Sequence, residues 1–187
     1  MNASNFNTYY ENIDSDFWRD LCVETGELHT YDKGDLFVEQ GRVGKYIGHI
    51  LSGTLKYVAY SADGSESVVG LEFAGGFVAD FPNSVYGRKS RVSIVAVTPC
   101  EIYCVPASEI GRRMQSDSEL YRMVAETSIA LFGTVYDRYI NLHTMSGQER
   151  YDELIEKYND ILSFFSLKDI ASFLNITPTH LSRLKKS

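Results

Sequence analysis

The spacing of apolar positions changes period along the chain, and each change marks a different kind of structure. Over residues 26–106, short runs rich in Val, Ile, Tyr and Phe are broken by turn signals about every eight to twelve residues, the signature of an all-β sandwich or barrel. The turns at residues 32–35 and 41–44, at Ser52-Gly53 and at Asp63-Gly64 each supply a glycine where the chain must reverse. Residues 54–60 and 65–73 flank the Asp63-Gly64 turn and predict a hairpin. Ahead of this region, residues 1–24 carry a weaker helical pattern with Phe17, Trp18, Leu21 and Cys22 along one side.

After Pro106 the period becomes helical. Leu120, Val124, Leu131, Val135 and Leu142 form a heptad-like seam, with Thr127 and Arg138 in its two gaps, on a helix of about 25 residues and about 37 Å. Phe132, Tyr136 and Tyr139 flank the seam, which needs a partner: the β region, a second copy of the chain, or both. Gly147 breaks this helix, and residues 149–158 predict another amphipathic one.

The densest local signal is LKDIASFLNITPTHLSRLKK at residues 167–186, which reads as a helix-turn-helix. A first helix covers residues 167–174, with small Ala171 where the two helices cross. Asn175 takes the left-handed turn position, Thr177 caps the second helix and Pro178 occupies its first turn, where a missing N–H costs nothing. Leu181 and Leu184 return to pack on Ile170, Leu174 and Ile176, leaving Thr179, His180, Arg183 and Lys186 outward. Arg183 is the candidate for a bidentate contact to guanine, and Lys185 and Lys186 for phosphate contacts. His180 suits either role.

Charge supports that placement. The chain carries −7 net over 187 residues, which argues against coating nucleic acid with its whole surface. Residues 167–187 nevertheless hold +3 while residues 147–166 hold −3, so only the final segment has the sign DNA requires. No apolar run is long enough to span a membrane and the start lacks a signal-peptide pattern, so the expectation is a cytoplasmic protein. Cys22, Cys100 and Cys104 lack metal-ligand spacing and read as reduced thiols, with core packing or a redox switch as the two readings for the last pair. His29, His49, His143 and His180 are scattered and no nucleophile motif occurs, so neither an enzyme nor a metal site is expected.

The chain from about residue 27 to the end resembles the Crp/Fnr superfamily of bacterial transcription regulators. YDKGDLFVEQG at 31–41 and YIGHILSG at 46–53 look like the opening strands of its cyclic-nucleotide-binding barrel, and TPCEIYCVP at 98–106 looks like the closing strand. The resemblance implies an α+β fold: an N-terminal β jelly-roll barrel with a lead-in helix (1–112), a long linker and dimerisation helix (113–146), and a small all-α helix-turn-helix (147–187) without a clear wing. It places the family's base-reading positions on Pro178, Thr179 and Arg183, and implies a homodimer on double-stranded DNA with a two-fold operator.

The sensor departs from the cAMP pattern. In GFVADFPNSVYGRKSR at 76–91, Asp80 and Ala79 replace a Glu and a Gly, and Ser90-Arg91 fall on an Arg-Ser pair in reversed order. Val135 and Tyr136 fall where two hydroxyls are expected. The ligand candidates by this match are Asp80, Arg88, Lys89, Ser90, Arg91 and Tyr136, with cAMP disfavoured against another small effector or a pocket kept only as scaffold. The oxygen-sensing branch is excluded because only Cys22 lies near the N-terminus. The competing function is a ligand-binding or interaction module whose helix-turn-helix does not bind DNA.

Overall fold

The computed structural model describes residues 14–185, so Lys186 lies outside the described residues. Helix α1 (Ser15–Thr25) starts where the Phe17 amide donates to Asp14 Oδ1 at 2.9 Å, and it buries Trp18, Leu21 and Cys22. Eight strands follow: β1 (Glu27–Tyr31), β2 (Leu36–Val38), β3 (Tyr46–Ser52), β4 (Thr54–Tyr60), β5 (Glu66–Phe73), β6 (Phe77–Val78), β7 (Ser93–Ala96) and β8 (Cys100–Pro106). Then come α2 (Ala107–Arg113), α3 (Ser118–Thr144), α4 (Gly147–Lys157), α5 (Ile161–Phe164), α6 (Leu167–Phe173) and α7 (Pro178–Leu184).

The strands form two antiparallel four-stranded sheets, ordered β1-β8-β3-β6 and β2-β7-β4-β5. The expected hairpin is present as β4 and β5. The jelly roll is a sandwich rather than the closed barrel the resemblance implies, because no strand pair joins the two sheets among the described residues. One edge strand of each sheet is short: β6 has two residues, and β2 has three with a register shift. Between the sheets, Phe37, Ile50, Leu55, Ile94 and Ile102 pack with Cys100 and Cys104. Burial pushes the Cys22 and Cys104 thiols up to about 12, so both stay protonated and pack as small apolar groups.

A second core joins α1, α2 and the start of α3 to the β1-β8-β3-β6 sheet, through Trp18, Ile47, Phe77, Ile110, Leu120 and Val124. Within it the Trp18 indole N–H donates to Thr127 Oγ1 at 2.8 Å. The first part of the seam read from the sequence is therefore filled by the chain's own sensor, with Leu120, Val124 and Thr127 buried, while Val135 and Leu142 further along are exposed. The opposite flank of α3 is bare, with Ile129 71% and Phe132 69% exposed.

Residues 158–166, between the predicted helices, hold the short helix α5. Tyr158, Ile161 and Phe165 are buried there, at the 3- and 4-residue spacing of one helical face.

The Trp18–Thr127 bond sets an expected outcome. Thr127→Val keeps the shape but leaves a buried indole N–H without its acceptor, so urea denaturation should show a loss of about 1–3 kcal/mol. Thr127→Ser should recover most of it, and an unchanged midpoint for Thr127→Val would show that the bond contributes nothing.

Candidate nucleic-acid interface and ligand pocket

The helix-turn-helix is built by local chemistry at each step. Ser166 caps α6, its hydroxyl accepting from the Asp169 amide at 3.1 Å. Asn175 has φ +54°, and among the described residues it is the one non-glycine in the left-handed region. This turn lets the Ile176 amide donate back to the Ala171 carbonyl at 2.9 Å. Thr177 Oγ1 accepts from the His180 amide at 3.1 Å and Pro178 opens α7. Ile170, Ala171 and Leu181 are fully buried between the helices, and Leu184 is half-buried. Arg150 on α4 donates through Nε to the Leu174 carbonyl at 3.1 Å, fixing the turn to the preceding helix. Thr179, His180, Arg183 and Lys185 lie on the exposed side of α7.

This helical unit does not close its core alone. Val68, Leu71 and Phe73 of β5 share one cluster with Tyr158, Phe165 and Ile170 of the helices. Phe73 stacks on Tyr158 with centroids 6.2 Å apart and meets Phe165 edge-on at 5.4 Å. Two polar links fix α6 on the sheet: Lys56 Nζ to Asp169 Oδ1 at 2.6 Å, and the Val68 amide donating to Ser172 Oγ at 2.9 Å. Burial works to raise the Asp169 pKa, but the hydrogen bonds from Lys56 and the Ser166 hydroxyl outweigh it and hold the carboxyl below its ordinary value.

On the other face of the same strand lies a cavity of about 530 Å³, walled by β4, β5, the segment after β6 and α3. A β-bulge shapes it. Tyr57 pairs with Gly70 and Val58 with Val68, so Val69 is the extra residue and turns inward with Glu72. Gly70 beside it lets the Tyr57 ring pack closely: a Cβ there would stand 3.0 Å from that ring. The α3 wall is Leu131, Val135, Arg138, Tyr139 and Leu142. The lining is mainly apolar and aromatic, with Glu72, Asp80, Arg91 and Arg138 as its charged groups.

Of the ligand candidates read from the sequence, Asp80 and Arg91 line this cavity, and Arg88, Lys89, Ser90 and Tyr136 do not. Arg88 and Lys89 are exposed, and the Arg88 guanidinium sits 5.6 Å from the Tyr86 ring. Ser90 is buried, but its hydroxyl donates to the Val92 carbonyl at 2.7 Å. Tyr136 stacks on Phe132 at 5.9 Å on the exposed flank of α3. Sequence reasoning missed Glu72, Arg138 and Tyr139 as lining residues. Two signals pointed to them: a carboxylate inside an apolar strand, and an arginine interrupting an apolar seam.

A sandwich with a walled cavity, a long helix and a helix-turn-helix follow one another along the chain, and similar proteins share this arrangement. Residues 28–117 match the model of the cyclic nucleotide-binding domain. The chain is 24% identical over 163 residues to a probable transcriptional activator of Rhizobium leguminosarum bv. viciae; that match covers 81% of this chain and 66% of the relative, just under two thirds. FixK2 from Bradyrhizobium japonicum superposes with a TM-score of 0.76 at 15% identity, over 87% of this chain and 83% of that one. A putative Crp/Fnr-family regulator from Eubacterium rectale gives 0.70 at 15% identity, over 91% and 81%. Residues 28–117 thus carry a cyclic nucleotide-binding domain, and the chain shares the overall fold of these regulators.

The Lys56–Asp169 link carries a pH dependence whose sign follows from its direction. A carboxyl with a depressed folded-state pKa contributes stability that is present above its unfolded value, 3.8, and lost as pH falls through the lower folded one. In urea denaturation across pH, the gap between wild type and Asp169→Asn should be full above about pH 5 and close below pH 3.8. A gap independent of pH would show that the carboxylate charge plays no part.

Proposed function

We propose that this protein is a DNA-binding transcription regulator, not an enzyme, that acts in the cytoplasm as a homodimer and responds to a small-molecule effector other than cAMP. The observation that carries the reading is α7: capped by Thr177, anchored by fully buried Leu181, and presenting Thr179, His180, Arg183 and Lys185 to solvent. That is the form of a recognition helix for the major groove, with Arg183 reading a base and Lys185 and Lys186 meeting phosphates. Pro178 occupies one of the family's base-reading positions and has no donor, so the operator differs from one read by a hydrogen-bonding side chain there.

The bare flank of α3 supports the dimer. Tyr121, Ile129, Phe132 and Tyr136 recur at spacings of 8, 3 and 4 along one exposed side. A second copy of the same helix covers such a stripe symmetrically and sets two recognition helices on a two-fold operator. Among the described residues, no helix is long and apolar enough to cross a membrane. The cavity supports sensing, and its chemistry disfavours cAMP: Ser90 is engaged with Val92, and Val135 offers no hydrogen bond.

Fluorescence anisotropy with fragments of the protein's own promoter region tests the DNA reading. Binding should saturate and weaken steeply with salt, and Arg183→Ala should cost about 1–3 kcal/mol. Equal, feeble binding by both proteins would refute it. Sedimentation tests the dimer separately: wild type should run as a dimer and Ile129→Glu with Phe132→Glu as a folded monomer, and a double variant that remains dimeric would move the interface elsewhere.

A further inference from the structure

Arg138 stands where the cavity, the bulged strand and the helix-turn-helix meet. Its Nη1 donates to the Val69 carbonyl at 2.7 Å. Its guanidinium lies over the Phe173 ring of α6, 4.0 Å from the centroid. The same side chain forms part of the cavity wall. One planar cation is thus shared between the space a ligand would fill and the first helix of the DNA-binding motif.

We propose that Arg138 transmits occupancy of the cavity to the helix-turn-helix, and that the occupant is a small organic anion, a carboxylate or a phosphate, with an apolar body. An anion offers a guanidinium two parallel charge-assisted hydrogen bonds, each about twice as strong as a neutral one. Such an anion draws the guanidinium toward the cavity, and a planar group turned that way no longer lies over the ring. Arg91 supplies a second cation in the cavity, and Glu72 and Asp80 accept from hydroxyl or amino groups on the ligand. Its apolar body fits against Tyr57, Phe77 and Tyr139.

The attachment of α6 gives this event a direction. Its N-terminal end is held by Asp169 on Lys56, and its C-terminal end by Phe173 under Arg138. Ser172, beside Phe173, accepts from the Val68 amide next to the bulge, so a shift of Val69 reaches it as well. Loosening Phe173 therefore pivots α6 about its Asp169 end and swings the end that continues into Asn175 and α7. The shift in population is limited by how much more tightly the anion binds the loosened state than the docked one.

The consequence for DNA rests on the regulator reading above, but the test does not. Hydrogen exchange of the full chain is followed over residues 167–176 with 4-hydroxybenzoate, phenyl phosphate or the neutral 4-hydroxybenzamide, and binding is read in parallel by thermal shift. At least one anion, at millimolar concentration, should stabilise the wild type and speed exchange in this segment several-fold, and the amide should do neither. The arm that responds distinguishes carboxylate from phosphate. Without any probe, Arg138→Ala and Phe173→Leu should each exchange roughly tenfold faster there than wild type. The double variant should go no further than either single one. Arg138→Lys, which keeps a cation over the ring, should recover part of the protection, and Arg138→Ala should lose the response to anions.

The proposal is overturned if Arg138→Ala leaves exchange in this segment unchanged, or if its response to anions equals that of wild type. It is also overturned if neither anion shifts the melting of wild type, or if an anion that binds leaves this segment unmoved. Failure of the DNA reading would appear in anisotropy alone and leave these exchange results standing.

Discussion

Strand β5 is covered on both faces, and the rest of the structure depends on that. Because neighbouring side chains of a strand point to opposite faces, Leu71 and Phe73 enter the core of the C-terminal helices while Glu72 between them enters the cavity. The bulge at Val69 keeps this assignment while bending the strand, so that Val68 stays with the helices and Val69 joins the cavity. The apolar residues of the helical unit share one cluster with Val68, Leu71 and Phe73 of β5. One strand's thickness separates the cavity from the helix-turn-helix.

The polar links at this junction set geometry more than strength. A partly buried ion pair such as Lys56–Asp169, with 20% and 15% of its side chains exposed, gives up hydration on both partners, so its net contribution is small. What it supplies is register, since α6 meets the sheet correctly only where Asp169 reaches Lys56 and Ser172 reaches the Val68 amide. Helix α3 serves three partners along its length. Its first turns pack on the sensor through Leu120 and Val124, its later turns wall the cavity, and the outer flank around Ile129 and Phe132 is exposed, the face proposed for a second copy.

What the sequence revealed divides between local and assembled features. The helix-turn-helix was legible because every part of it is local: Ala171, Asn175, Thr177, Pro178 and Leu181 act on neighbours a few residues away, and the structure places each in its expected role. The hairpin and the long helix were legible from period alone. The cavity was legible only in part: Asp80 and Arg91 were found by position, but Glu72, Arg138 and Tyr139 come from separate segments and meet them only through packing. A match by position put Tyr136 at the ligand, yet successive helical residues lie about 100° apart, so Tyr136 turns outward while Val135, Arg138, Tyr139 and Leu142 keep one face. Helix α5 carries no periodic signal because it is a single turn, and its residues share a cluster with those of β5.

Scanning calorimetry of the intact chain addresses most directly the claim that sensor and helix-turn-helix share one core across β5. One transition is expected, with calorimetric and van't Hoff enthalpies equal within error, and Val68→Asp should split it by removing the shared apolar contact. Two resolved transitions in the wild type, the lower one belonging to the helices from α4 onward, would contradict it.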